Sequence, residues 1–338
     1  MMRFSRFFST QKKIVFLVAL CALALYALFM DHKAPMSLYA EEISAFYVLA
    51  SVREQLPAPS WAETVMRAFA AAYPDRIGPV EYRNGDWAFF LEGRWFYYAK
   101  GRILPEGRRS YAAEYRPLIH LSGNYLAELP SWESTAAERK AFTRQMEERR
   151  NRPLQTTAQP PRAQYFHETL WNIRNENEAW AQQVQINFLG HRLTIHSGIS
   201  HKINRIEKII LTESETNPTV RQWVDSLGTV LGWSWRNIAD SGNRSTHSYG
   251  IAIDLLPRNL GGLATYWLWS SRHNPEWWNI PFSRRYHPPC EVIGAFESFG
   301  FIWGGKWLNF FDTMHFEYRP EVFILTNVPM ANFRTELP

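Results

Sequence analysis

The chain has 338 residues, 46% hydrophobic and 20% charged, which excludes a disordered protein and allows one large domain or two smaller ones. Cys21 and Cys290 are its only cysteines, too few for a disulfide framework or a four-cysteine zinc site. The net charge of +5 is local, because Arg3, Arg6, Lys12, Lys13 and Lys33 surround the first apolar run against Asp31 alone; the rest of the chain is nearly neutral, so no nucleic-acid partner is expected.

Residues 14–30 read IVFLVALCALALYALFM, seventeen uncharged residues preceded by four cations. Such a run is a signal peptide or an uncleaved anchor. No Ala-x-Ala follows the run in residues 31–60, so 1–33 are expected to be a basic cytoplasmic tail and a transmembrane anchor, with the body exported to a periplasmic or extracellular space. Residues 41–128 form a small mixed module. Its spacing predicts a helix over 42–54 and an aromatic hairpin over 86–100 that turns at Glu92-Gly93. No catalytic constellation lies within it, and packing or docking is its expected role.

Residues 129–164 combine a charged helix over 131–151 with a linker holding Pro153, Pro160 and Pro161. From 165 to 338 the pattern is globular again. Helices are expected over 168–185 and, started by Asn217-Pro218, over 219–231. His191, His196 and His201 are spaced by five, off both helix and strand periods, and are expected in a solvated loop. Arg258 to Tyr286 holds Trp267, Trp269, Trp277 and Trp278, which either wall a groove or cover the core. His287-Pro288-Pro289-Cys290 lacks the second pair a metal site needs. Gly-rich nucleotide loops are absent, so no nucleotide is expected.

The chemistry is concentrated between 235 and 317. Gly250 to Leu256 reads as a buried strand in which Asp254 is a carboxylate among apolar residues. A buried carboxylate demands a cation, an Arg or a metal as partner. His247 lies on the preceding turn. The glycines of 300–307 mark another turn, and 313–318 reads as a strand with Thr313, His315 and Glu317 on one face and Asp312 at its entrance. Two His and one Asp supply three zinc ligands and leave a fourth position open, the pattern of catalytic zinc; a carboxylate that is not a ligand then serves as general base. On spacing alone, two satisfied core histidines beside an Asp are the default account.

The assembled pattern is more specific. Ser-x-His-x-x-Gly-x-Ala-x-Asp at 245–254, Gly-Phe-x-Trp-Gly-Gly-x-Trp at 300–307 and Asp-x-x-His-Phe-Glu at 312–317 resemble the zinc peptidases that cut peptidoglycan stem peptides: D-alanyl-D-alanine carboxypeptidases and L-alanyl-D-glutamate endopeptidases of the hedgehog/DD-peptidase fold. The resemblance covers about the last hundred residues and is nearest the endopeptidase branch, since an Asp stands three before the last His. It implies an α+β domain with a small antiparallel sheet and flanking helices, one Zn²⁺ held by His247, Asp254 and His315, and Asp312 as the catalytic carboxylate. It also implies an Arg that steadies the substrate, Arg236 or else Arg244. Ser245 would support the His247 loop, Glu317 would orient an imidazole or form an ion pair on the strand face, and Trp303 would stand near the site or the substrate. The expected activity is hydrolysis of an amide in peptidoglycan peptides. D,D-carboxypeptidase action and a non-catalytic zinc-containing wall-binding module are the alternatives.

Overall fold

The computed structural model describes residues 60–118, 136–151, 160–238, 243–307 and 310–326. The apolar run 14–30 and the helix expected over 42–54 lie outside the described residues. No described helix is long and apolar enough to cross a membrane.

Ser60 caps the first described helix, α1 (Trp61–Ala72), by accepting a hydrogen bond from the Glu63 N–H at 3.2 Å. Its buried stripe is Val65, Met66, Ala68, Phe69 and Ala72. β1 (Ile77–Arg83), β2 (Asp86–Leu91), β3 (Arg94–Tyr97) and β4 (Leu104–Pro105) follow as a four-stranded antiparallel sheet in sequence order. The expected hairpin is β2–β3. Its turn residues Glu92 and Gly93 both have positive φ, 48° and 80°, as in a type I′ turn, whose twist matches that of the flanking strands. The charged segment forms α2 (Ala136–Asn151).

The single helix expected over 168–185 is instead two helices and a strand. α3 (Tyr165–Leu170) ends near Asn172, which takes a left-handed φ of 56°. Asn175 then caps α4 (Glu176–Gln182), accepting from the Glu178 N–H at 3.0 Å. The remaining residues enter β5 (Gln183–Phe188), which pairs with β6 (His191–His196) in antiparallel register. His191 and His196 therefore stand in a strand rather than a solvated loop, and His201 lies on α5 (Ser200–Thr216). His196 is buried; its Nε2 donates to the Trp171 carbonyl at 3.1 Å and its Nδ1 accepts from the Gly198 N–H at 3.0 Å. The second expected helix is also shorter. Asn217 caps α6 (Pro218–Ser226), and Leu227–Leu231 is β7, drawn into a sheet by pairing Val230 with Leu255 and Leu231 with Asp254.

β8 (Ala252–Pro257), α7 (Trp267–Ser271), α8 (Cys290–Ser298), β9 (Phe301–Trp303), β10 (His315–Tyr318) and α9 (Pro320–Thr326) complete the described chain. The second sheet runs β7-β8-β10-β9, antiparallel throughout. The architecture is mixed α and β with small antiparallel sheets, as expected. One hydrophobic core runs through both sheets. Phe69, Phe89 and Phe96 from the first sheet and its helix meet Phe166 of α3 with ring centroids 5.0, 5.7 and 6.3 Å apart. Of the four tryptophans in 258–286, Trp277 and Trp278 are buried in a cluster with Phe311, against which Trp267 packs, while Trp269 is exposed.

Candidate active site

Strand register brings the site together. His315 on β10 pairs directly with Asp254 on β8, so their side chains emerge on the same face. His247 arrives from the short 3₁₀ turn 246–249 just before β8. Ser245 holds that turn by accepting from the His247 N–H at 3.3 Å. Gly250 closes it with φ +70°, where a Cβ would lie 1.9 Å from Gln183 Oε1 and 2.7 Å from the His196 backbone nitrogen.

His247, Asp254 and His315 are all buried and form a group able to hold a metal ion. His247 Nε2 lies 3.2 Å from Asp254 Oδ1 and 3.2 Å from His315 Nδ1, and His315 Nδ1 lies 2.9 Å from Asp254 Oδ1. The far side of each ring is occupied. His247 Nδ1 donates to the Gly232 carbonyl at 2.6 Å, and His315 Nε2 donates to Glu317 Oε2 at 3.3 Å. These partners leave the inward nitrogen of each ring facing Asp254, where it can offer a lone pair to a cation that displaces any proton held there. Three potential ligand atoms thus surround one point, and a single proton among them cannot satisfy all three. Tetrahedral zinc bound at about 2.0–2.1 Å sets its ligand atoms about 3.3 Å apart, close to the spacing found. The donor set fits a divalent cation.

The ligand spheres are themselves supported. Glu317 also accepts from Thr246 Oγ1 at 2.9 Å, and Arg319 Nη1 approaches its other oxygen at 3.4 Å. Glu317 is therefore both an imidazole partner and a member of an ion pair on the strand face. Burial, opposed by His315, Arg319 and Thr246, leaves its carboxyl well below the usual range.

Asp312 stands outside the triad. Its Oδ1 is buried with no hydrogen-bond partner among the described residues. Burial is the main influence on it, and despite the opposing charges of His315 and Arg236 it pushes the carboxyl up to about 7. Arg236 is exposed, forms no close ion pair among the described residues, and is near enough for its charge to act on Asp312. Arg244 is committed elsewhere: it pairs with Glu168 at 3.1 Å and stacks on Trp235 at 4.5 Å. Trp303 is fully buried, and its indole N–H donates to the Thr313 carbonyl at 2.8 Å, so it braces the strand entrance rather than facing solvent.

Three participants escaped the sequence reading. Thr246 and the Gly232 carbonyl act through local geometry that no motif announces. Trp307, half-buried with its ring 5.6 Å from His315, lies inside the glycine-tryptophan motif and could have been singled out from it. His287 and Cys290 stay apart from the metal group: His287 stacks on Phe282 at 5.1 Å and Cys290 donates to Glu291 at 3.3 Å.

Residues 239–318 match the family model described as D-alanyl-D-alanine carboxypeptidase. The match takes in His247, Asp254, Asp312 and His315, and supports a peptidase of that zinc-dependent family in this part of the chain. Residues 65–120 match the model of a domain of unknown function. No curated protein and no solved structure matches the chain.

Proposed function

We propose that the chain is a zinc peptidase that hydrolyses an amide bond in peptidoglycan stem peptides, acting as an L-alanyl-D-glutamate endopeptidase. The observation that carries this function is the pairing of three convergent buried donors, His247, Asp254 and His315, with the unpartnered carboxylate of Asp312. A purely structural metal site has no use for that fourth, non-ligating group. When bound, the ion supplies Lewis acidity, polarising a carbonyl and acidifying water. Asp312 takes the proton of the attacking water and delivers it to the departing amine. Arg236 supports the charge that develops on the carbonyl oxygen. Ser245, Thr246 and Glu317 hold the rings in place. On the sequence of 14–30, the body is exported and stays tethered to the membrane.

The description of the matching family favours a second activity at the same site, D,D-carboxypeptidase action. Both are tested at once by measuring metal content and digesting purified peptidoglycan with the full chain and with Asp312→Ala, reading the fragments by mass spectrometry. About one zinc per chain, with cleavage lost in the variant, is expected, and the new termini name the bond. A protein that holds zinc but cleaves no peptide bond in the wall would overturn the peptidase in favour of a binding module.

A further inference from the structure

β10 and the residue that follows it carry a polar row on one face. His315, Glu317 and Arg319 follow at alternate positions, so their side chains lie side by side. Each touches the next: His315 Nε2 to Glu317 Oε2 at 3.3 Å, and Arg319 Nη1 to Glu317 Oε1 at 3.4 Å. The row continues past the strand. Arg319 Nε donates to Glu321 Oε1 at the start of α9. The other oxygen of that carboxylate, Glu321 Oε2, accepts the Tyr73 hydroxyl at 2.8 Å. Tyr73 follows α1, on the far side of the chain from the metal group in sequence and inside the segment matched to a domain of unknown function. Both Tyr73 and Glu321 are buried. The Tyr73 ring is wedged edge-on against Trp171 and Tyr318, each at 6.1 Å.

The geometry points to Tyr73 as a positioning residue for the metal centre, acting through Glu321, Arg319 and Glu317 on His315. This role rests on the zinc site proposed above and extends it to the first module, which would then be a built-in support of that site and not a detachable docking unit. The physical basis is competition for one guanidinium. Arg319 stands between two buried carboxylates, and its contact to Glu317 is the longer one. The Tyr73 hydroxyl satisfies half of Glu321, leaving Arg319 free to reach Glu317. Without that hydroxyl, the buried Glu321 oxygen has no other hydrogen-bond donor among the described residues, and a buried acceptor is costly to leave unpaired. Arg319 is then drawn toward Glu321 and away from Glu317, which loosens the group that fixes the His315 ring. Outer partners of metal-bound imidazoles typically change metal affinity about 10–100-fold. Tyr73 lies further out, so an effect of about 3–10-fold is expected.

The test uses the full chain and zinc alone as probe. Tyr73→Phe keeps the ring and its packing. Zinc affinity is measured by chelator competition for the wild type, Tyr73→Phe, Glu317→Gln and the double variant, with thermal unfolding recorded for each. The expected result is weaker binding in Tyr73→Phe and no further weakening when Glu317 is already Gln, the signature of action through that residue. A role confined to folding would shift the unfolding temperature and leave affinity unchanged, or weaken binding equally in both backgrounds; either result overturns the assignment. A wild-type chain that takes up no zinc overturns the metal site itself, and the role of Tyr73 falls with it.

Discussion

His315 and Asp254 are direct partners in the β8–β10 register, and His315 Nδ1 stands 2.9 Å from Asp254 Oδ1 at a point that His247 Nε2 also faces. Two paired strands therefore set two of the three donors before any ion arrives, which is the preorganisation a tight metal site needs. Replacing either donor leaves two groups that cannot enclose a cation. Asp254→Ala and His315→Ala should each weaken zinc binding by more than about 100-fold, beyond the range of outer-partner substitutions. Chelator competition measures it, and binding within a few-fold of the wild type would remove these residues from the ligand set.

Asp312 makes the opposite prediction. Its buried Oδ1 meets no donor among the described residues and it is not one of the converging triad. Asp312→Asn should hold zinc at unchanged stoichiometry while the hydrolysis rate falls by about 10²–10⁴, the usual contribution of a positioned general base. Parallel loss of metal and activity would instead make Asp312 a ligand.

Much of this site was legible because it is written at short range. The alternation around Asp254 and through 313–318 placed both strands to within two residues, with 313–314 falling in the turn before β10, and the turn signal at Glu92-Gly93 placed the β2–β3 hairpin. The failures share one cause. Gln183–Phe188 and Leu227–Leu231 each follow a helix directly, so helical periodicity ran on into segments that become strands only through distant pairing, with 191–196 and 254–257. The β5–β6 turn hides itself too, because Leu189 takes a φ of 51° without being a usual turn former, and it is buried. By sequence Arg236 is preferred to Arg244 only by its place shortly before the Ser-x-His motif; the structure adds a physical reason, since Glu168 ties up Arg244. The link from Tyr73 to Glu321 spans 248 residues, a distance at which no local pattern speaks.

Gly250 offers a test of the scaffold. It sits between His247 and Asp254 with φ +70°, and an added Cβ would collide with Gln183 Oε1 and with the backbone nitrogen of His196. Left-handed backbone alone costs a non-glycine residue roughly 1–2 kcal/mol, and the collision requires β6 to move as well. Gly250→Ala should lower stability by more than about 2 kcal/mol and weaken zinc binding, since the same turn presents His247. Denaturant titration and chelator competition read the two effects, and an unchanged midpoint would show that the turn accommodates a side chain.

Zinc affinity should also depend on pH in a defined direction. Burial works against a charged His315, yet its hydrogen bonds and charge interactions with Asp254 and Glu317 hold it above its ordinary range, at about 10. In the chelated protein at neutral pH, this imidazole therefore carries a proton on the Nδ1 that faces Asp254, and metal must displace it. The raised value lies above neutrality, so the protonated ring is the majority form from pH 6 to 8 and each unit fall in pH weakens binding. Affinity should rise about tenfold per pH unit across that window, with about one proton released per ion. Glu317→Gln removes one of the two carboxylates that hold the proton, so its dependence should flatten at the upper end of the window. Competition measurements at pH 6, 7 and 8 with both proteins decide the matter: equal affinity at pH 7 and 8 in the wild type would mean that His315 is already neutral there and that the carboxylates beside it do not hold its proton.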